Sequence, residues 1–527
     1  MHNFHLPGRS PVFAANGMVA TSHPLAAAAA LDILKDGGNA LDAAVAGAVL
    51  LGICEPQMTG LGGDCFALIK PAGTEDVIAV NGSGRAPKGL DADTLRAEGL
   101  ERIDRHHAAA VTLPGAVDAF CRMSDRFGAM GLDRVLAPAI QYFEEGVPVA
   151  PRVAFDLARE DGASFNDAAK RHFLNGGRPF RLAERFAAPG QAEALRQIAR
   201  NGRRAFYEGE VADDMLATLR AVGGTHDADD FASVEASFGT PCEGDYRGTT
   251  LLEHPPNGQG AIAILLAQML AQFNLAGLDP NGAERLHLEI EATKLAYDAR
   301  DRFLADAEHT ARLDHLLDPR LAANLAALID PKRAMADPKP LAEDHHRDTV
   351  LITAVDRDGV AVSLIYSIFA SLGSGIATDR FGILFHNRGS GFNLIPGHPN
   401  EAGPGKRPMH TIIPAMTRVS GRIDMAFGVM GGQYQATGHS HVLSNMVDYG
   451  MDPQAAIDAP RVFPQPDGLW IEQNLPEATH AKLIELGHTP VRQALPIGGA
   501  QIIRLDHATG MLVSGSDPRK DGVALGY

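Results

Sequence analysis

Residues 329–348 read IDPKRAMADPKPLAEDHHRD, with three prolines, many charges and almost no apolar periodicity. At Thr349 the chain turns without transition into TVLITAVD, the turn Arg357-Asp358-Gly359 and VAVSLIYSI. The first stretch predicts an exposed linker. The second predicts a β-hairpin of two largely buried strands. Strands this apolar need cover, and the rest of the chain offers it. Residues 24–53 predict two Ala-rich helices broken at Gly37-Gly38, where a C-cap glycine fits. Ala-rich faces approach a sheet closely. GLGGDCFALIK predicts a Gly-rich turn entering a strand near Asp64, and VIAVNGSGRAP a second strand. Residues 131–235 are mainly helical in pattern, and 283–306 carry an inward stripe of Leu286, Ile290, Leu295 and Phe303. After the hairpin come a third apolar segment, GILFHN, strands near 411–418, 423–429 and 499–505, and helices near 437–449 and 478–487. The whole reads as α/β layers without an internal repeat.

Composition excludes several function classes. The 527 residues are 45% hydrophobic and 21% charged, as in a soluble globular protein, and length allows several domains or one large α/β unit. A formal charge of −17 with no Lys/Arg run argues against nucleic acid as a partner. No stretch reaches the ~18 apolar residues of a membrane span, and MHNFHLPGRSPVFAANG lacks the pattern of a secretory signal. Cys54, Cys65, Cys121 and Cys242 are scattered with no CxxC, which predicts buried free thiols in a reducing compartment, the cytoplasm.

The junction Asp348-Thr349 carries the chemistry. A hydroxyl residue opening a core strand behind an exposed linker can attack its own preceding carbonyl. Hydrolysis of the resulting ester leaves Thr349 as a new N-terminus, whose α-amino group, of ordinary pKa ~7.7–8.0, can take the proton from its own hydroxyl. Taken alone, a Thr opening a strand is far more often structural, because Thr favours strands.

A resemblance changes that balance. GGNALDAAVA (37–46), EPQMTGLGGDCFALI (55–69), TLPGAVDAF (112–120), PPNGQG (255–260), ATKLAYDARDRFLAD (292–306), DTVLITAVDRDG (348–359), FGILFHNRGSGF (381–392), PGKRPMHTIIPAM (404–416), MGGQ (430–433), DYGMDPQAAIDAPR (448–461) and GSDPRKDGVALGY (515–527) follow in order over nearly the whole length. In them the chain resembles the γ-glutamyltransferase (glutathione hydrolase) family, and more closely its cytoplasmic, lidless glutathione hydrolase-like branch. The resemblance implies an N-terminal-nucleophile hydrolase αββα sandwich, one intertwined unit built from a large subunit, 1–348, and a small subunit, 349–527, of one precursor. It implies Thr349 as nucleophile, Ser367 as the second hydroxyl where the family has Thr, and Gly431-Gly432 as the oxyanion hole. No cofactor and no metal is implied. A higher homo-oligomer is left open.

The glutamyl-recognition positions depart from the family. Where it holds the substrate's ammonium with Asn, Gln and Asp, this chain has Phe369, Arg388 and Gly391. Where it grips the α-carboxylate with Ser-Ser, this chain has His410-Thr411; Ser83 stands at the family's Arg, with Arg85 two residues on. Losing an acid and gaining Arg388 reverses the local charge, and a planar guanidinium suits a carboxylate. Phe369 reads as pocket wall or core. The segment 392–406 is short, which predicts an open site. His345-His346 and His439-Ser440-His441 read as surface histidines or a helix start, without convergent carboxylates for a metal. GLGGD fits no nucleotide loop, and no GxSxG is present. Three readings of function follow: hydrolysis or transfer of γ-glutamyl amides through an acyl-enzyme, a related amidase for a glutaryl- or oxamate-like amide, and an unprocessed non-catalytic scaffold.

Overall fold

The computed structural model describes residues 8–335 and 349–527, so Asp348 and His345-His346 lie outside the described residues. Two seven-stranded antiparallel sheets stack face to face. The first runs Val523–Gly526, Met18–Thr21, Val350–Val355, Ala361–Ser367, Asp64–Lys70, Ile78–Gly82 and Ser237–Gly239. The second runs Val12–Ala14, Met511–Ser516, Gly499–Asp506, Arg422–Met430, Ala415–Val419, Thr249–Glu253 and Cys242–Tyr246. Helices Pro24–Lys35 and Ala40–Cys54 cover the first sheet, and Gly260–Leu270 and Gln435–Val447 cover the second, giving αββα layers.

The predicted hairpin lies at the centre of the first sheet. Val350 pairs with Tyr366 and Val355 with Ala361, and every residue of both strands is buried. The two-residue period divides its apolar side chains between layers. Val350, Ile352 and Ala354 pack with the Ala-rich helices, while Leu351 and Val355 pack toward the other sheet. Burying each large aliphatic side chain contributes about 1.5–3 kcal/mol. Ser363 Oγ crosses between the layers to donate to the Phe427 carbonyl at 2.8 Å.

The helices form where small residues and caps agree. Asn39 and Asp42 close a reciprocal capping box on Ala40–Cys54. Gly37, at φ +95°, breaks the two helices at the predicted point. Gly47 sets the helix–sheet distance: a Cβ there would lie 2.4 Å from Ile352 Cδ1.

Some elements differ from the sequence reading. The strand predicted from 411 begins at Ala415, because side-chain amides replace ladder partners before it: Gln259 donates to the Thr411 carbonyl and Ile413 N–H to Gln435 Oε1. The 283–303 helix is buried around most of its surface, so Ala292, Ala296 and Tyr297 are core while Leu295 and Phe303 are only half-buried. GILFHN is buried but makes isolated bridges, not a strand. His439 and His441 are not surface residues; each is buried against a carboxylate, Glu253 at 2.7 Å and Glu289 at 3.0 Å. All four cysteines are buried and free. Among the described residues no helix is long and apolar enough to cross a membrane.

Replacing Gly47 with Leu drives a side chain into Ile352 and should destabilise the protein by about 1–3 kcal/mol, seen as a lower urea midpoint for loss of tertiary signal.

Candidate active site

Five apolar side chains, Phe66, Leu351, Ile365, Ile412 and Met430, form one buried cluster between the sheets. Each stands within two residues of a chemically interesting position: Asp64, Thr349, Ser367, Thr411 and Gly431. The cluster is the floor from which these groups project. Close packing at this level fixes their relative positions.

Thr349, just before its strand, is buried, and its Oγ1 lies 3.4 Å from Ser367 Oγ at the end of the paired strand. Ser367 Oγ also accepts from the Phe369 N–H at 2.9 Å. Phe369 holds φ +76°, a rare conformation for a bulky residue and one that costs of order 1–3 kcal/mol. Its ring lies 3.9 Å from the Arg388 guanidinium. The hydroxyl pair and the cation are thus joined through one strained residue.

Arg388 is fully buried. Its Nε donates to Asp64 Oδ2 at 3.3 Å and Nη1 to Thr411 Oγ1 at 3.4 Å. Asp64 is also fully buried, and it pairs with Ser367 across the sheet. Its carboxylate further receives Gly84 N–H at 3.1 Å and His410 Nε2 at 3.1 Å, with His386 Nδ1 at 3.4 Å. Burial acts to raise the Asp64 pKa, but the surrounding His386 and His410 outweigh it and hold the acid well below the usual carboxylate range. Burial, then the Arg388 charge, push His410 down to about 3. His410 is therefore a neutral donor, its Nδ1 accepting the Ile412 N–H at 3.3 Å.

Gly431 and Gly432 follow Met430 at the end of a central strand of the second sheet, with φ +132° and +56°. A Cβ on Gly431 would sit 2.7 Å from Gly498 Cα, so no larger residue fits without displacing backbone. PPNGQG braces the other side: Asn257 Nδ2 donates to the Pro408 carbonyl at 2.8 Å, and Gln259 holds Thr411.

Of the residues singled out in the sequence, the structure brings Thr349, Ser367, Phe369, Arg388, His410 and Thr411 into one bonded group and sets Gly431-Gly432 on the same apolar floor. Arg85 stands apart. Its guanidinium bonds Asp306 at 3.3 Å and the Gly405 carbonyl at 2.8 Å, on the wall of a cleft of about 600 Å³ that Ser83, Gly84 and Arg407 also line. Gly84 connects the cleft to the buried group by its bond to Asp64. Loop 392–406 folds on itself: the Asn393 N–H donates to the Asn400 carbonyl, the Ala402 N–H to the Asn393 carbonyl, and Lys406 Nζ to the Pro399 and Glu401 carbonyls. Asp64 and His386 were missed as site residues; the only sequence signal was an acid closing a glycine-rich turn in a buried strand.

The chain is similar to known proteins over nearly its whole length. The gamma-glutamyltranspeptidase family matches residues 26–527. A glutathione hydrolase-like YwrD proenzyme of Bacillus subtilis is 35% identical, covering 97% of this chain and 98% of its own length. An oxamate amidohydrolase proenzyme of Klebsiella pneumoniae is 33% identical, over 97% and 98%. The crystal structure of a cephalosporin acylase from Bacillus halodurans superposes with a TM-score of 0.93 at 35% identity, covering 100% of this chain and 99% of that one.

Asp64→Asn leaves Arg388 buried without its anion and should cost about 3–5 kcal/mol. Because the folded pKa is depressed, the stability contributed by Asp64 is complete above its ordinary value of ~3.9 and lost as pH falls through the lower folded value. Urea midpoints of wild type and variant should differ at neutral pH and converge only in acid below pH ~4.

Proposed function

The chain belongs to the gamma-glutamyltranspeptidase family of self-processing amide hydrolases and transferases, and from that premise we propose that Thr349 is its nucleophile and that its acyl donor carries a carboxylate but no free ammonium. The observation that carries the second half is the buried Arg388, stacked on Phe369 and paired with the buried carboxylate of Asp64. An ammonium brought there would meet a like charge in a low-dielectric setting, whereas a carboxylate would meet a cation. Glutaryl- and oxamate-like amides fit this sign, and the oxamate amidohydrolase relative supports it. A γ-glutamyl donor is the second reading, supported by the glutathione hydrolase-like relative.

The mechanism has two uses of one hydroxyl. In maturation Thr349 Oγ1 attacks the Asp348 carbonyl carbon, the peptide C–N bond breaks, and its nitrogen becomes the α-amino group of Thr349. Water hydrolyses the ester and frees the Asp348 carboxylate, leaving 1–348 and 349–527 as large and small subunits. In turnover the α-amino group takes the hydroxyl proton as Oγ1 attacks the donor amide, and it returns that proton to the departing amine. Ser367, 3.4 Å away, orients the nucleophile. The Gly431 and Gly432 N–H groups stabilise the oxyanion, a role in which each donor is worth about 3 kcal/mol. Water or an acceptor amine then releases the acyl group. Four buried free thiols support a cytoplasmic setting.

Intact mass under denaturing conditions should give two species divided between Asp348 and Thr349, and Thr349→Ala a single uncut, inactive chain; an active Thr349→Ala would end the proposal. Among p-nitroanilide donors, glutaryl should exceed γ-glutamyl in kcat/KM. Arg388→Gln should lower the glutaryl value by at least about tenfold, as loss of one charge-assisted bond implies, and lower the γ-glutamyl value less. The reverse order would restore the γ-glutamyl reading.

A further inference from the structure

Away from the nucleophile, three buried side chains converge: His287, Glu291 and His488, whose ligand atoms all lie within 4.8 Å of one another. His287 and Glu291 are four residues apart on helix Ala283–Phe303 and so share a face. His488 comes from the other side of residue 349, just after helix Glu477–Glu485. Its position is fixed by a helix stop in which Gly487 adopts φ +98° and the His488 N–H bonds to the Leu483 carbonyl at 3.0 Å. His287 Nδ1 and His488 Nε2 are 2.7 Å apart.

The surrounding bonds orient these groups as ligands. His287 Nε2 lies 2.8 Å from the Asp330 carbonyl, which can only accept, so this nitrogen carries the proton and Nδ1 presents a lone pair. A backbone carbonyl on the far nitrogen is the usual support of a metal-bound histidine. Glu291 receives Lys294 Nζ on one oxygen at 2.8 Å and the Met335 N–H on the other at 2.7 Å. A carboxylate has about four acceptor sites, so both bonds leave it able to coordinate.

We propose that His287, Glu291 and His488 form a divalent-metal site of the zinc type, with two imidazole nitrogens and one carboxylate oxygen as protein ligands. In a tetrahedral zinc site neighbouring ligand atoms are about 3.3 Å apart, so small side-chain rotations convert the hydrogen-bonded arrangement into a coordinating one. The proton shared by the two rings moves to His488 Nδ1, and the metal takes its place between the lone pairs. A water completes the shell. If the chain is cut before Thr349, as the proposed function requires, the metal bridges the two products, since His287 and Glu291 belong to the first and His488 to the second; metal binding itself does not depend on that cut.

The test is titration of tag-free, chelator-treated full-length protein with Co²⁺, followed by visible absorption and by thermal unfolding with and without Zn²⁺. The expected result is one equivalent of Co²⁺ giving the intense bands of a four- or five-coordinate ion, displaced by Zn²⁺, together with a raised Tm. His488→Gln and Glu291→Gln should each weaken binding by at least about tenfold, with unchanged circular dichroism. Either variant suffices if the other fails to fold. A wild-type titration showing only the weak spectrum of aqueous Co²⁺, or equal bands in a folded variant, would overturn the assignment.

Discussion

A strand pair buried on both faces must have a layer above and a layer below, and the hairpin Val350–Ser367 imposes that condition on everything else. On one side the requirement is met by alanine-rich helices close enough that Gly47 can carry no side chain. On the other it is met by the second sheet, through Leu351, Ile365 and Met430. The candidate site is the polar edge of the same packing. Thr349 and Ser367 stand at the paired ends of the two strands, and Gly431 just past the end of the facing strand. Moving any layer would move the reactive groups with it.

The second organising interaction is the buried Asp64–Arg388 pair. A charge in such a place is tolerated only with an opposing charge and satisfied hydrogen bonds. Asp64 has both, drawing Gly84, His410 and Arg388 from three distant parts of the sequence. The arrangement holds the guanidinium in a fixed orientation, with an aromatic ring against its face. Exchange of a few residues at one strand end therefore changes the charge at the candidate site, while its apolar floor stays in place.

Much of this was legible in the sequence because local pattern and tertiary role coincide there. The Ala-rich helices, the Gly37 break and the hairpin follow from periodicity and turn chemistry alone. The strand start at Ala415 did not, since Gln259 and Gln435 intervene from far away in sequence. His439 and His441 were read as exposed because nothing nearby reveals Glu253 and Glu289 waiting in the core. Thr349 stands out where a polar linker meets a core strand, but that alone fits a structural Thr, and its reading as nucleophile, like the choice of 388 and 410, rests on the resemblance. Asp64, which binds Arg388 and His410 together, is marked locally only as an acid closing a glycine-rich turn, which does not reveal its partners.

The strand order holds one more consequence. In the first sheet Met18–Thr21 is inserted between Val523–Gly526 and Val350–Val355, and in the second Val12–Ala14 closes on Met511–Ser516 while Thr249–Glu253 closes on Ala415–Val419. The stretches before and after residue 349 are interleaved like the fingers of two hands. Scission of one peptide bond between them releases no part of the sandwich, yet it changes the order of the folding reaction. An intact chain assembles these sheets in a unimolecular process, while two separated fragments would have to find each other first. Maturation would thus turn a molecule able to refold into one whose persistence is governed by how slowly it comes apart.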